Sequence, residues 1–111
     1  MTPEDVARGI FDAYVQQDRK TAESLIGEQL TFTSPQDDHI DRAAYFERCF
    51  PTADRVARQE LVHVAAAGNR DVFVMYEYEL KAGGTHRNTE LITVVDGRIT
   101  EIQVFFGGQV R

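Results

Sequence analysis

The second half of the chain alternates apolar and polar residues with a period of two, and this pattern constrains the fold most. It predicts four strands, over residues 60–66, 72–80, 87–95 and 98–106. Turn residues separate the strands, and the last turn, Asp96-Gly97, tolerates the positive φ of a tight hairpin. The second half therefore predicts an antiparallel meander.

The first half has helical periodicity instead, with apolar residues recurring every three to four positions. Three residues that can cap helix N-termini precede these runs: Thr2, Asp18 and Asp41. We expect the second helix to end at Gly27 and the third at Pro51. A short strand is expected between these two helices, over residues 30–34.

Helices followed by a meander predict an α+β fold. We expect three N-terminal helices packed on one face of a curved, mostly antiparallel sheet, an arrangement that can enclose an interior pocket. A chain of 111 residues is long enough for one substantial core, so residues 1–111 are expected to form a single domain.

The net charge of −6 limits the classes of partner. Nucleic acids and anionic membranes attract basic patches, and the chain has no basic run, so neither partner is expected. No apolar run approaches the roughly 18–20 residues that cross a bilayer, and the N-terminus does not resemble a signal peptide. Cys49 is the only cysteine, which favours the reducing cytoplasm.

Glu90 is the most informative polar residue, because alternation places it on the same strand face as Ile92 and Val94. If that face is interior, the carboxyl must find a partner, stay protonated or serve a ligand. Such an acid is a candidate for chemistry or binding. An edge-strand glutamate that reaches solvent or pairs with an arginine is the open alternative.

Three segments, over residues 37–51, 87–90 and 96–107, resemble the nuclear transport factor 2-like superfamily. That superfamily includes ketosteroid isomerases and SnoaL-like polyketide cyclases, and the segments are most similar to a SnoaL-like subgroup. The resemblance covers nearly the whole chain. It implies that the curved sheet forms a cone-shaped barrel with an interior pocket, that a hydrophobic small molecule binds in this pocket, and that the chain forms a homodimer through the sheet.

The resemblance also implies roles for individual residues. Tyr14 matches the tyrosine that hydrogen-bonds a developing oxyanion in ketosteroid isomerases, and Glu90 matches a protonated acid with the same role. The general-base carboxylate of that family falls at Ser34, which cannot abstract a carbon-bound proton unaided. Asp37 and Asp38 lie three and four residues further on, and either could reach the pocket. Asp38 is the candidate base, with a water molecule as the alternative. Tyr14 as a core tyrosine bonded to the backbone remains an alternative.

The expected pocket is lined by inward-facing residues of the helices and strands. Its candidate ligand-binding residues are Phe32, Ser34, Tyr45, Phe50, Tyr76, Asn88, Ile102, Val104 and Phe106. His86 alternates onto the same face as Asn88 and Glu90, which would give the pocket a polar wall. The aromatic side chains could also fill the space completely.

No metal or cofactor is expected. The acidic residues of segment 37–41 fit a turn and the cap of the third helix, and zinc or calcium sites need other ligand sets. Two functions stay open. One is an isomerase- or cyclase-like enzyme that applies acid–base chemistry to a hydrophobic carbonyl compound, and the other is a non-catalytic binding or interaction module. Apolar Phe73, Met75 and Phe105 on the outer sheet face favour a homodimer.

Overall fold

The computed structural model describes residues 1–111 and confirms the α+β fold. The N-terminal half contains the helices α1 (Pro3–Gln16), α2 (Arg19–Leu25) and α3 (Arg42–Ala44), a π-helical turn (Tyr45–Cys49) and a 3-10 helix (Phe50–Arg55). None of the helices is long and apolar enough to cross a membrane.

Six strands form one sheet. They are β1 (Ile26–Ser34), β2 (Asp37–Ile40), β3 (Val56–Ala67), β4 (Asp71–Leu80), β5 (Thr85–Val95) and β6 (Arg98–Gln109). Their order in the sheet is β2-β1-β6-β5-β4-β3. Only the β1–β6 pair is parallel, so the predicted antiparallel meander is confirmed as β3 to β6.

The sheet is curved but does not close, which corrects the expected barrel. The outermost strands, β2 and β3, each pair on one side only. Helix α1 lies in the hollow of the sheet and contacts β3, β4, β5 and β6. The core therefore forms between α1 and the inner sheet face, and the open side leaves room for a cavity.

Two features of residues 19–40 differ from the prediction. Helix α2 ends at Leu25 instead of Gly27, because β1 already begins at Ile26. At Gly27 a Cβ atom would lie 3.2 Å from the carbonyl oxygen of Ile99, so this glycine allows two strands to approach closely. The short strand β2 was missed, because its polar residues had indicated a turn.

The third helical segment was predicted to end at Pro51, but it continues to Arg55. A π-helical turn follows α3, and Pro51 then occupies the first turn of the 3-10 helix. Proline has no backbone N–H to donate, but the first turn of a helix needs no such donor. The change of helix type turns Tyr45 and Phe46 into the core, where both side chains are buried.

The two faces of the meander differ as the alternation predicted. Val72 and Val74 of β4 are fully buried on the inner face, together with Ile92 of β5. The outer face exposes Phe73 and Phe105. The inner face is therefore the wall against which any interior site is built.

Asp41 stabilises the start of the segment that carries Tyr45, since its side chain accepts a hydrogen bond from the Ala44 backbone N–H at 2.9 Å. We expect Asp41→Ala to lower the free energy of unfolding by about 1 kcal/mol through loss of this cap. Asp38→Ala removes the same charge from a side chain that is 95% exposed and caps nothing, and it should change stability by less than about 0.5 kcal/mol. Equal losses in urea denaturation of the two variants would contradict the capping role.

Candidate functional site

A cavity of about 610 Å³ lies between α1, the π-helical turn, the 3-10 helix and the inner face of the sheet. This volume is typical of sites for small molecules. The aromatic side chains therefore do not fill the interior. Eight of the nine residues expected to line a pocket do line this cavity: Phe32, Ser34, Tyr45, Tyr76, Asn88, Ile102, Val104 and Phe106.

Two residues expected at the pocket lie elsewhere. Phe50 is buried but packs in the core, with its ring 5.5 Å from that of Phe46. His86 stacks on Tyr78 with ring centroids 5.4 Å apart and does not reach the cavity. His86 still shares a face of β5 with Asn88, since these residues pair with Tyr78 and Tyr76 of β4, but the cavity does not extend to this end of the strand.

Glu90 lies on the inner face of β5, between the apolar cross-strand neighbours Val74 and Val104. The Tyr76 hydroxyl donates a hydrogen bond to Glu90 Oε2 at 2.7 Å. Asn88 Nδ2 in turn donates to the Tyr76 hydroxyl oxygen at 3.3 Å. These donors form a chain directed at the carboxyl, which identifies Glu90 Oε2 as a hydrogen-bond acceptor.

Burial raises the pKa of Glu90 from its ordinary value near 4.5 to about 7. The Tyr76 hydrogen bond acts in the opposite direction, because it favours the carboxylate, but its effect on the pKa is smaller. Although the cavity leaves Glu90 partly accessible, apolar side chains replace most of its hydration. A carboxyl with a pKa near 7 can both accept and release a proton at neutral pH.

Tyr14 lines the cavity, but its own proton is already committed. The Thr52 hydroxyl donates to the Cys49 carbonyl at 2.7 Å, and the Tyr14 hydroxyl lies 2.7 Å from Thr52 Oγ1. Because a hydroxyl has one proton, Thr52 must accept from Tyr14. Tyr14 therefore presents lone pairs to the cavity, whereas the resemblance implied a donor.

Tyr45 provides the donor that Tyr14 does not. It is 6% exposed and lines the cavity, and its hydroxyl makes no hydrogen bond within the protein. The fully enclosed polar atoms that lack a partner belong to Thr33 and His86. The Tyr45 hydroxyl and Glu90 Oε1, which also lacks a partner, are therefore open to the cavity.

The pKa of Tyr45 is raised, first by burial and second by the charge of Glu90. The same two causes, burial and then the Glu90 charge, raise the pKa of Tyr76. Both phenols therefore stay protonated across the physiological range. They can act as donors and cannot act as bases at neutral pH.

The position expected to hold a base contains a linked group of polar side chains. Ser34 Oγ lies 3.4 Å from Asp37 Oδ2, and Arg48 Nη1 lies 3.6 Å from Asp37 Oδ1. Asp37 lines the cavity, whereas Asp38 does not and pairs with His39 in solvent. The structure thus does not bring Asp38 together with Glu90, and Asp37, which does line the cavity, already forms an ion pair with Arg48.

Cys49 also lines the cavity but is not a nucleophile. Burial and the nearby Asp37 carboxylate raise the pKa of its thiol to about 12, so the thiolate is not populated at neutral pH. No group of three or more His, Cys, Asp or Glu side chains comes together in a way that could hold a metal ion.

Among the polar cavity residues that were not predicted from the sequence, three lie between α3 and β3: Arg48, Thr52 and Arg55. Arg48 lies on the π-helical turn, and the other two lie on the 3-10 helix beyond Pro51. Pro51 had indicated the end of the helix, so no inner face was assigned after it. The preference of proline for a first helical turn is the signal that could have extended the segment.

No protein-family model matches the chain, and no curated protein matches it. Solved structures do. An NTF2-like protein of unknown function from Cytophaga hutchinsonii is 21% identical, with 96% of this chain and 90% of that one covered and a TM-score of 0.76. A candidate polyketide cyclase from Sinorhizobium meliloti is 17% identical, with coverage of 90% and 93% and a TM-score of 0.78.

An LEH-like epoxide hydrolase from M. tuberculosis is 16% identical, with 94% of this chain and 81% of that one covered and a TM-score of 0.75. These matches establish that the chain has the nuclear transport factor 2-like fold. The predicted resemblance is thereby confirmed at the level of the fold.

The raised pKa of Glu90 predicts a pH-dependent stability. The folded protein holds the Glu90 proton more tightly than the unfolded chain, so this contribution is full below about 4.5 and is lost as the pH rises through about 7. Relative to Glu90→Gln, which cannot ionise, the wild type should lose roughly 1–3 kcal/mol of unfolding free energy over that range. Urea denaturation of both proteins at several pH values measures the difference, and a difference independent of pH would contradict the burial.

Proposed function

We propose that this protein binds a hydrophobic carbonyl compound in its cavity and applies acid–base chemistry to it, with an isomerase- or cyclase-like outcome. The observation that carries the proposal is Glu90, a carboxyl with one acceptor oxygen open to a cavity of about 610 Å³ and a pKa of about 7. A base is most effective when its pKa lies near the working pH.

In the proposed reaction, ionised Glu90 takes a proton from a carbon next to the carbonyl group of the ligand. The carbonyl oxygen gains negative charge and accepts a hydrogen bond from the free Tyr45 hydroxyl. Protonated Glu90 then returns the proton to another carbon of the same ligand, so the proton balance is zero. Tyr76 and Asn88 are positioning residues, because the Tyr76 hydroxyl holds the carboxyl and Asn88 in turn holds the Tyr76 hydroxyl.

These roles differ from those that the family resemblance implied. Glu90 serves as the proton acceptor instead of a permanently protonated donor, and Tyr45 takes the place of Tyr14 as the donor. Asp38 takes no part, since its side chain lies outside the cavity. A separate base near Ser34 is then unnecessary.

Two structural neighbours support a small-molecule role. One carries the description of a polyketide cyclase and another that of an epoxide hydrolase. Both descriptions name enzymes that act on small molecules, and both proteins share this fold at TM-scores of 0.78 and 0.75. Fold likeness alone does not transfer an activity, so the proposal depends on the cavity residues.

A non-catalytic binding module is the second candidate, and the Arg48–Asp37 ion pair favours it. The ion pair engages Asp37, the other carboxylate that lines the cavity. Glu90 is therefore the single acid left for both proton transfers. For either candidate we propose a homodimer formed through the outer sheet face, where Phe73 and Phe105 are 42% and 51% exposed.

Titration with 2-naphthol, a fluorescent mimic of an enol, tests the cavity assignment. Tyr45→Phe should weaken binding by about fivefold to tenfold, because the ligand oxygen loses its donor. Tyr14→Phe is the matched control in the same cavity, and it should weaken binding by less than about twofold, since that hydroxyl has no free proton. The reverse order of effects would contradict the assigned roles.

Turnover of 3-cyclohexenone to its conjugated isomer, followed by ultraviolet absorbance, separates the two candidate functions. The enzymatic proposal expects turnover by the wild type and a loss of about a hundredfold or more in Glu90→Gln, with Asp38→Asn fully active. Naphthol binding without any turnover by the wild type would favour the binding module. No naphthol binding at all would contradict the small-molecule proposal.

A further inference from the structure

The rim of the cavity carries positive charge, although the protein as a whole is acidic. Among the cavity residues that are exposed at its opening, the charged ones are Arg48 and Arg55. No exposed acidic residue lines the opening, in a chain with a net charge of −6. Solubility explains a general excess of acids, but it does not explain two arginines at the entrance of an apolar cavity.

The two rim arginines differ in their partners. Arg48 forms an ion pair with Asp37, at 3.6 Å between Nη1 and Oδ1. The guanidinium of Arg55 forms neither an ion pair nor a hydrogen bond within the protein. Arg58, three residues further on, pairs with both Glu60 and Glu79. Acids are therefore available to the arginines of this region, but none pairs with Arg55.

The position of Arg55 is held by the backbone. It ends the 3-10 helix, and its carbonyl oxygen accepts a hydrogen bond from the Lys81 N–H at 2.9 Å. Its positive charge lowers the pKa of Tyr14, whereas burial and Glu90 raise that pKa. Arg55 and Glu90 therefore have opposite effects on the pKa of the same tyrosine, and all three residues line the cavity.

Most of the cavity wall is apolar or aromatic. Buried Phe11, Ile102 and Val104 line the interior, and half-exposed Phe106 lies at the opening. A ligand that spans this cavity needs an apolar body and a polar group at each end. A guanidinium matches a carboxylate in charge and geometry, since both groups are planar and can share two parallel hydrogen bonds.

We propose that the natural ligand is an amphipathic organic carboxylate, whose anionic group pairs with Arg55 at the rim while its carbonyl oxygen lies beside Tyr45 and Glu90. This inference rests on the proposed function for the interior end of the ligand. It adds the substrate class: a carboxylate that bears a second, neutral oxygen on a hydrophobic skeleton.

Binding of two matched probes tests the inference. The compounds 2-naphthol and 6-hydroxy-2-naphthoic acid share one ring system and one hydroxyl group, and only the second carries a carboxylate at neutral pH. The wild type should bind the carboxylate probe about tenfold more tightly than 2-naphthol, as expected for one charge-assisted contact. Arg55→Gln should abolish this advantage, so that the variant binds the two probes with equal affinity.

Arg58→Gln is the matched control, because it removes an equal charge from a nearby side chain that does not line the cavity. The tenfold advantage should persist in this variant. If it disappears in both variants, general electrostatic attraction explains it and the role of Arg55 is overturned.

The remaining outcomes separate this inference from the proposed function. If the wild type binds 2-naphthol but binds the carboxylate no more tightly, the inference fails and the proposed function stands. If the tighter binding of the carboxylate probe persists in Arg55→Gln, the inference likewise fails and the proposed function stands. If neither probe binds, the small-molecule function fails and the ligand class fails with it.

Discussion

The hydrogen bond from Tyr76 to Glu90, made inside an apolar wall, is the interaction on which the rest of the site depends. A carboxyl between two buried valines loses hydration and so resists ionisation. One phenol donor, itself supported by Asn88, offsets only part of that cost. The result is an acid whose pKa lies near 7, with one oxygen held in place and the other directed into a cavity.

The fold provides this arrangement through register and curvature. Pairing of β4 with β5 places Tyr76 opposite Asn88 and Val74 opposite Glu90, so the donors and the acid share one inner face. An open, curved sheet leaves space that α1 does not fill, and the π-helical turn directs Tyr45 into it. The segment between α3 and β3 carries Arg48 and Arg55, and these two residues form the charged rim.

Much of the fold could be predicted from the sequence, because alternation and helix caps are local signals. The inner face of the meander and the cap at Asp41 followed directly from residue order. The roles of Tyr14 and Tyr45 could not be predicted in this way. Which hydroxyl has a free proton depends on Thr52, which lies 38 residues from Tyr14 in a segment whose helix type changes twice. The spacing of residues along the chain gives no information about such a long-range contact.

A measurement of the pKa of Glu90 tests the proposed chemistry most directly. Carbon-13 NMR of the side-chain carboxyl carbons, with the Glu90 signal assigned by comparison with Glu90→Gln, measures its pKa in the free protein. The midpoint should lie near 7 in the wild type and higher in Tyr76→Phe, because this substitution removes the donor that favours the carboxylate. A midpoint near 4.5 in the wild type would show a solvated carboxyl and would contradict the proposed chemistry.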